Sequence, residues 1–239
     1  MIAMIFKKKK EQEQNSGFMA QRRQILNSNS NFIVQEAYKA LRTNIRFFER
    51  GDSCKKFCIT SAAAGEGKSI TLLNLAISIA EDGHKVLLID ADLRRPAVAR
   101  LLVEKAAPGL SNLLAGQCRA EECVRKGLYN NLDIILSGDV PPNPSELLGN
   151  ERMQQLIDQM SLQYDYILVD TPPVNVVSDT CVVASMLDGV LMLAREGSSR
   201  KDGVSQAVQK LQLTGARLLG FVLNGVAVEK NHSYGYYYR

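Results

Sequence analysis

The stretch "SAAAGEGKSITLLNLA", residues 61–76, places two glycines, a lysine and a serine ahead of a long apolar run, and it follows the strand-like run "FCIT" at 57–60. A strand, a glycine-rich turn and a helix form the order that a phosphate-binding loop requires, because glycine lets backbone N–H groups converge on phosphate oxygens. In such a loop Lys68 reaches the terminal phosphates and Ser69 is a ligand for Mg²⁺. The general pattern has a further glycine where this chain has Ala62, so the loop alone is also compatible with a plain strand-to-helix turn.

Short apolar runs alternate with helical patterns along the rest of the chain. The predicted strands are "KVLLID" (85–90), "LDIIL" (132–136), "YILVD" (166–170), "GVLMLA" (189–194) and "LLGFVLN" (218–224). Helices are predicted at 70–80, from a cap at Ser145 through Met160, at 179–187 and at 200–213. Strands that are apolar throughout and separated by helices predict an α/β fold, a single domain with a mostly parallel twisted sheet and helices on both faces.

Two of these runs place a total of three acidic side chains at or just beyond strand ends. Asp90 and Asp92 end "LLIDADLRR", and Asp170 ends "ILVDTPP". Because ligand sites of open α/β sheets lie beyond the carboxyl ends of the strands, we expect these carboxylates to share one crevice with the glycine loop. Carboxylates, a hydroxyl and phosphate oxygens are what Mg²⁺ takes in phosphate chemistry. Asn224, at another strand end, is either a turn residue or a contact for a nucleotide base.

Composition narrows the class of protein. The chain has 239 residues, a mild net charge of +4 and no Trp, so an aromatic-rich reader of nucleic acid is not indicated. Five cysteines at irregular spacing do not form a disulfide framework, and the two histidines do not indicate a zinc site. No stretch is long and apolar enough to span a bilayer. The opening "MIAMIF", followed by Lys7–Lys10, is either a disordered leader or a weak contact with anionic lipid.

The two ends of the chain differ from its centre. Residues 1–31 are polar and basic and are predicted to be a flexible arm. Residues 32–50, "FIVQEAYKALRTNIRFFER", show an apolar stripe at helical spacing. At the other end, residues 229–239 concentrate Tyr234, Tyr236, Tyr237 and Tyr238. These phenols form either an adhesive strip or a set of phosphorylation sites, since a phosphoryl group adds nearly two negative charges.

Taken together, residues 32–239 resemble the bacterial tyrosine kinases (BY-kinases) of capsule and exopolysaccharide systems, in the deviant-Walker branch of P-loop ATPases that also holds MinD and ParA. "SAAAGEGKS" resembles the family's Walker A, "LLIDADLRRP" its Walker A′ and "ILVDTPP" its Walker B. "GLSNLLAGQ" and "PPNPSELL" are similar to further family segments. "EAYKALRTNIRFF" resembles the helix whose E-x-x-R-x-x-R motif joins subunits in a ring; Glu36 and Arg42 match that motif, and Lys39 stands at its first Arg.

The resemblance implies a P-loop kinase domain over residues 32–228, with an oligomerisation helix at 32–50 and a tyrosine tail at 229–239. It implies transfer of phosphate from MgATP to the tail tyrosines, in trans between subunits, and a role in capsule or exopolysaccharide synthesis and export. The catalytic set is Lys68, Asp90, Asp92 and Asp170, with either Asp90 or Asp92 as the base. Ser69, Asp90 and Asp170 are the predicted Mg²⁺ ligands. The predicted ATP-binding residues are Ala64, Gly65, Glu66, Gly67, Lys68, Ser69, Ile70 and Asn224.

The same resemblance implies partners and a location. We expect a separate transmembrane polysaccharide co-polymerase as activator, a ring-like homo-oligomer, a cognate tyrosine phosphatase and no nucleic acid. The protein is expected in the cytoplasm, held at the inner face of the membrane by its partner. Two other hypotheses remain at this point. A MinD- or ParA-like switching ATPase would use the same Lys68 and carboxylates, and a non-enzymatic ATP-bound scaffold would use the tail for adhesion.

Overall fold

A seven-stranded sheet forms the centre of the molecule. The computed structural model of the chain describes residues 20, 22–47 and 53–227. The strands are β1 (Lys55–Ser61), β2 (Val86–Asp90), β3 (Val124–Tyr129), β4 (Leu132–Ile135), β5 (Tyr166–Asp170), β6 (Gly189–Arg195) and β7 (Leu218–Asn224). Their order is β3-β4-β2-β5-β1-β6-β7. Only β3 runs antiparallel, against β4, within this sheet.

Helices cover both faces of this sheet. They are α1 (Phe32–Arg46), α2 (Lys68–Glu81), α3 (Val98–Leu102), α4 (Leu110–Leu114), α5 (Ala120–Cys123), α6 (Pro144–Leu148), α7 (Glu151–Ser161), α8 (Asp179–Ala184) and α9 (Lys201–Leu213). One apolar core joins α2 and α3 to one face of the sheet. A second core joins α7, α8 and α9 to the other face. This two-sided cover explains why β2 and β5 are apolar up to their terminal Asp residues: every residue in them is buried.

Helix α2 is buried nearly all round because it lies between the sheet and α1. Twelve of its fourteen residues are buried, including the polar Asn74 and Ser78. The Asn74 amide accepts a hydrogen bond from the Leu26 backbone N–H (2.8 Å) and donates to Gln24 O (2.9 Å) and to the Tyr38 hydroxyl (3.1 Å). One polar side chain of α2 therefore fixes both the chain before α1 and α1 itself.

The strand register sets the geometry of the site. Asp90 at the end of β2 is directly opposite Asp170 at the end of β5. Asp170 is in turn opposite Ile59 of β1, two residues before the glycine loop begins to leave the sheet at Ser61. Three adjacent parallel strands thus deliver the loop and two carboxylates to the same edge.

The predicted α/β fold and its mostly parallel sheet are confirmed, and all six strands predicted from apolar runs are present. A single helix from Ser145 through Met160 is wrong. The chain breaks after Leu148, and Asn150 caps a second helix by accepting from Met153 N–H. Ser145 lies inside the first of the two helices and does not cap it. Strand β3 and the short helices before it were not predicted.

The described residues cover only part of the two chain ends for which predictions were made. Within the predicted arm 1–31, Leu26 is only 4% exposed and packs in the core of the domain, with the partly buried Ile25 against it. Packing therefore begins before residue 32. Helix α1 ends at Arg46, and 48–50 lie outside the described residues, as does the tyrosine tail 229–239. No helix among the described residues is long and apolar enough to cross a membrane.

Candidate functional site

The glycine loop is built as a phosphate cradle. Gly65 and Gly67 both have positive φ, 80° and 100°, a conformation that glycine adopts without strain. Gly67 also has no room for a side chain, since a Cβ there would lie 2.3 Å from Asn224 Nδ2. Helix α2 starts at Lys68, and no side chain caps its first turn. The N–H groups of that turn remain available for an anion.

Two elements on the β7 side hold the loop in this shape. The Asn224 amide donates to Glu66 O (2.9 Å), and Arg195 donates to Gly65 O (3.3 Å). The Glu66 side chain is 2% exposed and accepts from the Ser199 hydroxyl and from Ala63 N–H (3.3 Å). The Glu66 side chain therefore braces the loop from inside.

The two strand-end carboxylates are buried side by side. Asp90 and Asp170 are both 0% exposed. Burial raises the pKa of Asp90 well above its usual range, and the negative charges of Asp170 and Asp92 raise it further. Burial also raises the pKa of Asp170 to about 7, although the positive charge of Lys68 opposes the rise. The site thus concentrates negative charge that a bound cation would neutralise.

Asp170 gives the clearest sign that a cation belongs here. Neither of its oxygens has a hydrogen-bond partner among the described residues. The Ser69 hydroxyl lies near enough to lower the Asp170 pKa, without meeting the geometry of a hydrogen bond. Asp90 differs, since its oxygens accept from Asp92 N–H (3.3 Å) and Val98 N–H (3.2 Å).

A buried carboxylate without a partner is costly unless something else satisfies it. No group of three or more His, Cys, Asp or Glu side chains within the described residues forms a ready metal cage. Two carboxylates and a hydroxyl suit Mg²⁺, which typically keeps waters and takes phosphate oxygens as further ligands.

Arg94, which follows Asp92 in the sequence, is bound to a carboxylate that the sequence analysis did not select. Its Nε and Nη2 donate to the two oxygens of Asp179 (2.8 and 3.1 Å), and Nη2 also reaches Ser145 Oγ (3.1 Å). Ser145 Oγ donates to Asp179 as well. Asp179 itself is fully buried at the start of α8. Arg94 therefore pairs with Asp179 and not with Asp90 or Asp170.

The fold has well-defined relatives among solved structures. The kinase domain of the Escherichia coli tyrosine kinase ETK superposes with a TM-score of 0.78 at 38% identity, covering 85% of this chain and 80% of that one. The chimerical protein CapA2B2 gives 0.80 at 32% identity, over 84% and 88%. MinD from Pyrococcus horikoshii gives 0.61 at 23% identity, over 71% and 70%, which shows a shared fold alone.

Sequence comparison shows that the chain is more similar to tyrosine-protein kinases than to MinD. A family model described as an AAA domain matches residues 54–218. The tyrosine-protein kinase YwqD of Bacillus subtilis is 37% identical over 223 residues, which is 93% of this chain and 94% of that protein. The putative tyrosine-protein kinase CapB of Staphylococcus aureus is 33% identical, over 86% and 90%. The chain belongs to the bacterial tyrosine-protein kinase family. The resemblance drawn from its motifs is thereby confirmed.

Within this BY-kinase chain, the structure gathers most of the predicted nucleotide site. The loop residues 64–70, Asp90 and Asp170 meet at one edge of the sheet. Asp92 joins them, 9% exposed, with its Oδ1 accepting from Arg95 N–H (3.0 Å). Asn224 also reaches the loop, through Glu66 O. Its contact with adenine stays a prediction, as do the individual roles of the other residues.

The predicted subunit-contact residues lie away from this edge, on α1. Glu36 and Lys39 form an exposed pair with each other (2.8 Å). Arg42 is instead directed into its own domain, where it donates to Ser78 O and pairs with Asp82 (3.2 Å). The three predicted contact residues are thus divided between an exposed pair and a residue that fastens α1 to α2.

Sequence reasoning missed Asp179, Ser145 as its partner, and Ser199. Asp179 sits nine residues after Asp170, at the start of a helix, where acidic residues are common for reasons of helix stability. Ser199 lies in a loop without any motif. Neither position carries a signal in one sequence, because the partners come from distant parts of the chain.

Proposed function

We propose that this BY-kinase transfers the γ-phosphoryl group of ATP to tyrosine hydroxyls, including Tyr234, Tyr236, Tyr237 and Tyr238 of its own tail. The observation that carries the proposal is the buried Asp170 carboxylate, which lies beside Lys68 and opposite Asp90 and has no hydrogen-bond partner within the described residues. Such a site suits a Mg²⁺-bound triphosphate. The names of the similar proteins YwqD and CapB support tyrosine as the acceptor.

The chain's own groups divide the work of phosphoryl transfer, which needs mainly positioning and charge stabilisation. The N–H groups from Gly65 to Ser69 and the Lys68 ammonium hold the phosphates. Ser69, Asp90 and Asp170 hold Mg²⁺, which supplies positive charge at the phosphates when bound. The tyrosine oxygen forms a bond to the γ-phosphorus as the bond to the leaving ADP oxygen breaks. Asp90 or Asp92 accepts the phenol proton.

Asp92 is the better placed of the two for that proton. Both oxygens of Asp90 accept backbone hydrogen bonds, and Asp90 is fully buried between β2 and β5. Asp92 lies two residues beyond the strand end and retains 9% exposure. A base must come within hydrogen-bond reach of the acceptor hydroxyl. We therefore assign the base role to Asp92 and the ion-holding role to Asp90.

The position of the last described residues supports transfer between subunits. Asn224 touches the glycine loop, and Ala227 N–H donates to Glu196 (3.1 Å) at the opposite side of the loop from Asp92. The tail, residues 229–239, begins only five positions after Asn224 in the sequence. A short tail that starts there reaches a neighbour's acceptor side more readily than its own. Self-association, with Glu36 and Lys39 at the contact, brings the two together.

The remaining elements of the proposal concern partners and place in the cell. We propose a separate membrane-bound co-polymerase as activator, a tyrosine phosphatase that resets the tail, and a role in capsule or exopolysaccharide synthesis. The protein then works in the cytoplasm at the inner membrane face, through that partner. The similarity to the tyrosine-protein kinases YwqD and CapB supports the kinase activity on which this assignment rests.

Mass spectrometry of the C-terminal peptide tests the proposal. The chain is expressed as wild type and as Lys68→Met, each with the cytoplasmic fragment of a candidate activator. We expect phosphate on the tail tyrosines of the wild type and none on the variant. Mixing the Lys68→Met chain with a tail-deleted chain then tests the trans step, and phosphate on the Lys68→Met tail is expected. ATP hydrolysis without any phosphotyrosine would instead favour a switching ATPase.

A further inference from the structure

A pocket beside the catalytic edge is built from segments that the kinase mechanism does not use. It has a volume of about 380 Å³ and lies between α4 and the chain that leads into α6. Its walls include Ser111, Asn112, Gln117, Asp139, Glu146 and Leu147. These residues come from "GLSNLLAGQ" and from the stretch around "PPNPSELL". We call this cavity the Asn112 pocket.

Asn112 gives the pocket a fixed shape. Its Oδ1 accepts from Gly109 N–H (3.1 Å) and Asp139 N–H (3.3 Å), and its Nδ2 donates to Gln117 Oε1 (2.9 Å) and Asp139 Oδ2 (2.8 Å). Every hydrogen-bonding group of this side chain is therefore used to join α4 to the loop after β4. The pocket walls are held before any ligand arrives.

The Ser111 side chain, unlike that of Asn112, makes no hydrogen bond within the described residues. The residue is 4% exposed. The hydroxyl lies over Gly138, where a Cβ would be 2.4 Å from it. A buried hydroxyl normally finds a partner. A ligand with a polar hydrogen or an acceptor atom would supply one at this wall.

The charge of the pocket selects the kind of ligand. Among its described lining residues, Asp139 and Glu146 are acidic and none is basic. Both carboxylates are exposed, and Glu146 also accepts from Asn143 Nδ2 (3.1 Å). Pro141, Pro142 and Leu147 provide apolar wall beside them. Such a lining favours a peptide that carries a cationic side chain and some apolar surface.

The pocket is also tied to the catalytic edge. Strand β4, which ends just before Asp139, pairs directly with β2, which ends at Asp90. Helix α6, which supplies Glu146, contains Ser145, and Ser145 binds both Arg94 and Asp179. Arg94 in turn lies two residues after Asp92. A peptide in the pocket is thus held by the same elements that position the proposed base.

We propose that the Asn112 pocket docks the tyrosine-containing tail, residues 229–239, of a second copy of this chain. The tail carries Lys230, His232 and Arg239 against a single acid, Glu229. Its basic side chains meet Asp139 and Glu146, and its backbone satisfies Ser111 Oγ. This inference rests on the proposed kinase function, because it names the surface that presents the acceptor.

Direct binding tests the docking without depending on catalysis. A fluorescein-labelled peptide with the sequence of residues 229–239 is titrated with the full chain, and anisotropy gives Kd. Glu146→Lys is expected to raise Kd at least tenfold. Ser111→Ala is expected to raise Kd about threefold at unchanged thermal stability, because its hydroxyl has no partner within the described chain. The matched control is Glu104→Lys, an exposed charge reversal outside the pocket.

A charge swap separates docking from a general charge effect. The peptide with Lys230→Glu and Arg239→Glu should bind the wild-type chain at least tenfold more weakly than the unchanged peptide does. The same altered peptide should bind the Glu146→Lys chain at least threefold more tightly than it binds the wild-type chain. An unchanged Kd for Glu146→Lys, or no binding of the wild type at millimolar peptide, would overturn the docking. Absence of phosphotyrosine despite this binding would instead contradict the proposed function, so the two failures are distinguishable.

Discussion

At the scale of single residues, Asp170 shows a conflict between function and stability. The carboxylate proposed to hold a cation is buried without a hydrogen-bond partner among the described residues, and burial raises its pKa to about 7. The folded state therefore binds a proton more tightly than the unfolded chain does. The stability that this protonation provides is complete below the unfolded pKa, near 3.9, and is lost as the pH rises through about 7.

Asp170→Asn should consequently stabilise the chain in the absence of metal and nucleotide. We expect the free energy of unfolding to rise on the order of 2 kcal/mol at pH 8 and by clearly less at pH 5, where the wild-type carboxyl is largely protonated. Urea denaturation in EDTA at the two pH values measures the difference. Asp158→Asn, at an exposed position on α7, is the control and should change neither value. An equal gain at both pH values would contradict the argument.

The residue scale also shows where one sequence is informative. The sequence could predict that Lys68, Asp90 and Asp170 lie close together. A glycine loop and two acidic residues that each follow a parallel strand all meet at the carboxyl edge of the sheet. The partner of Arg94 could not be predicted, because Asp179 lies 85 positions away in a short helix. Predicted contacts succeed where strand order brings residues together, and they fail where side chains from separate loops meet.

At the scale of elements, the same contrast holds. The six apolar strands and the buried α2 follow from continuous hydrophobic runs. Strand β3, "VRKGLY", has no such run, since it lies at the sheet edge with three of its six residues exposed. The break between α6 and α7 was missed because the Asn150 cap lies inside a pattern that continues to look helical. Edges and caps depend on local hydrogen bonds more than on burial.

Arg94, in the loop after β2, binds Ser145 of α6 and Asp179 of α8, and this contact gives a prediction at the scale of elements. Burial alone would raise the pKa of Asp179, but hydrogen bonds from Arg94 and Ser145 outweigh it and leave the pKa below its usual value. Arg94→Ala leaves that buried charge unpaired and should cost about 2–3 kcal/mol of stability, somewhat under the typical loss for a fully buried pair, because Arg94 is partly exposed.

A double-mutant cycle with Asp179→Asn measures this link. The double variant should be more stable than the sum of the two single losses predicts, because removing both partners removes the unpaired charge. Arg94→Lys keeps the charge but loses the two-pronged contact, so it should fall between wild type and Arg94→Ala. Urea unfolding provides the free energies. Strict additivity would show that Arg94 and Asp179 act independently.

At the scale of the whole molecule, α1 connects the subunit to its proposed neighbours and to its own P-loop helix. The exposed face carries Glu36 and Lys39, while the inner face is fastened to α2 by Arg42. Phe32, Ile33 and Val34 are also exposed at the start of this helix. An amphipathic helix with apolar side chains left uncovered indicates a surface that another copy can cover.

This division predicts that changes at Glu36 and Arg42 have different consequences. Glu36→Ala should weaken self-association, measured by sedimentation velocity, and leave the free energy of unfolding of the monomer within about 0.5 kcal/mol, as for an exposed ion pair. Arg42→Ala should instead destabilise the monomer by about 1–2 kcal/mol, because Ser78 O and Asp82 lose a charged partner. Lys39→Arg, which permits two-pronged contacts across the interface, should strengthen self-association. If the two alanine variants destabilised the monomer equally, Glu36 would hold α1 in place as much as Arg42 does. That result would contradict the separate roles of the inner and outer faces of the helix.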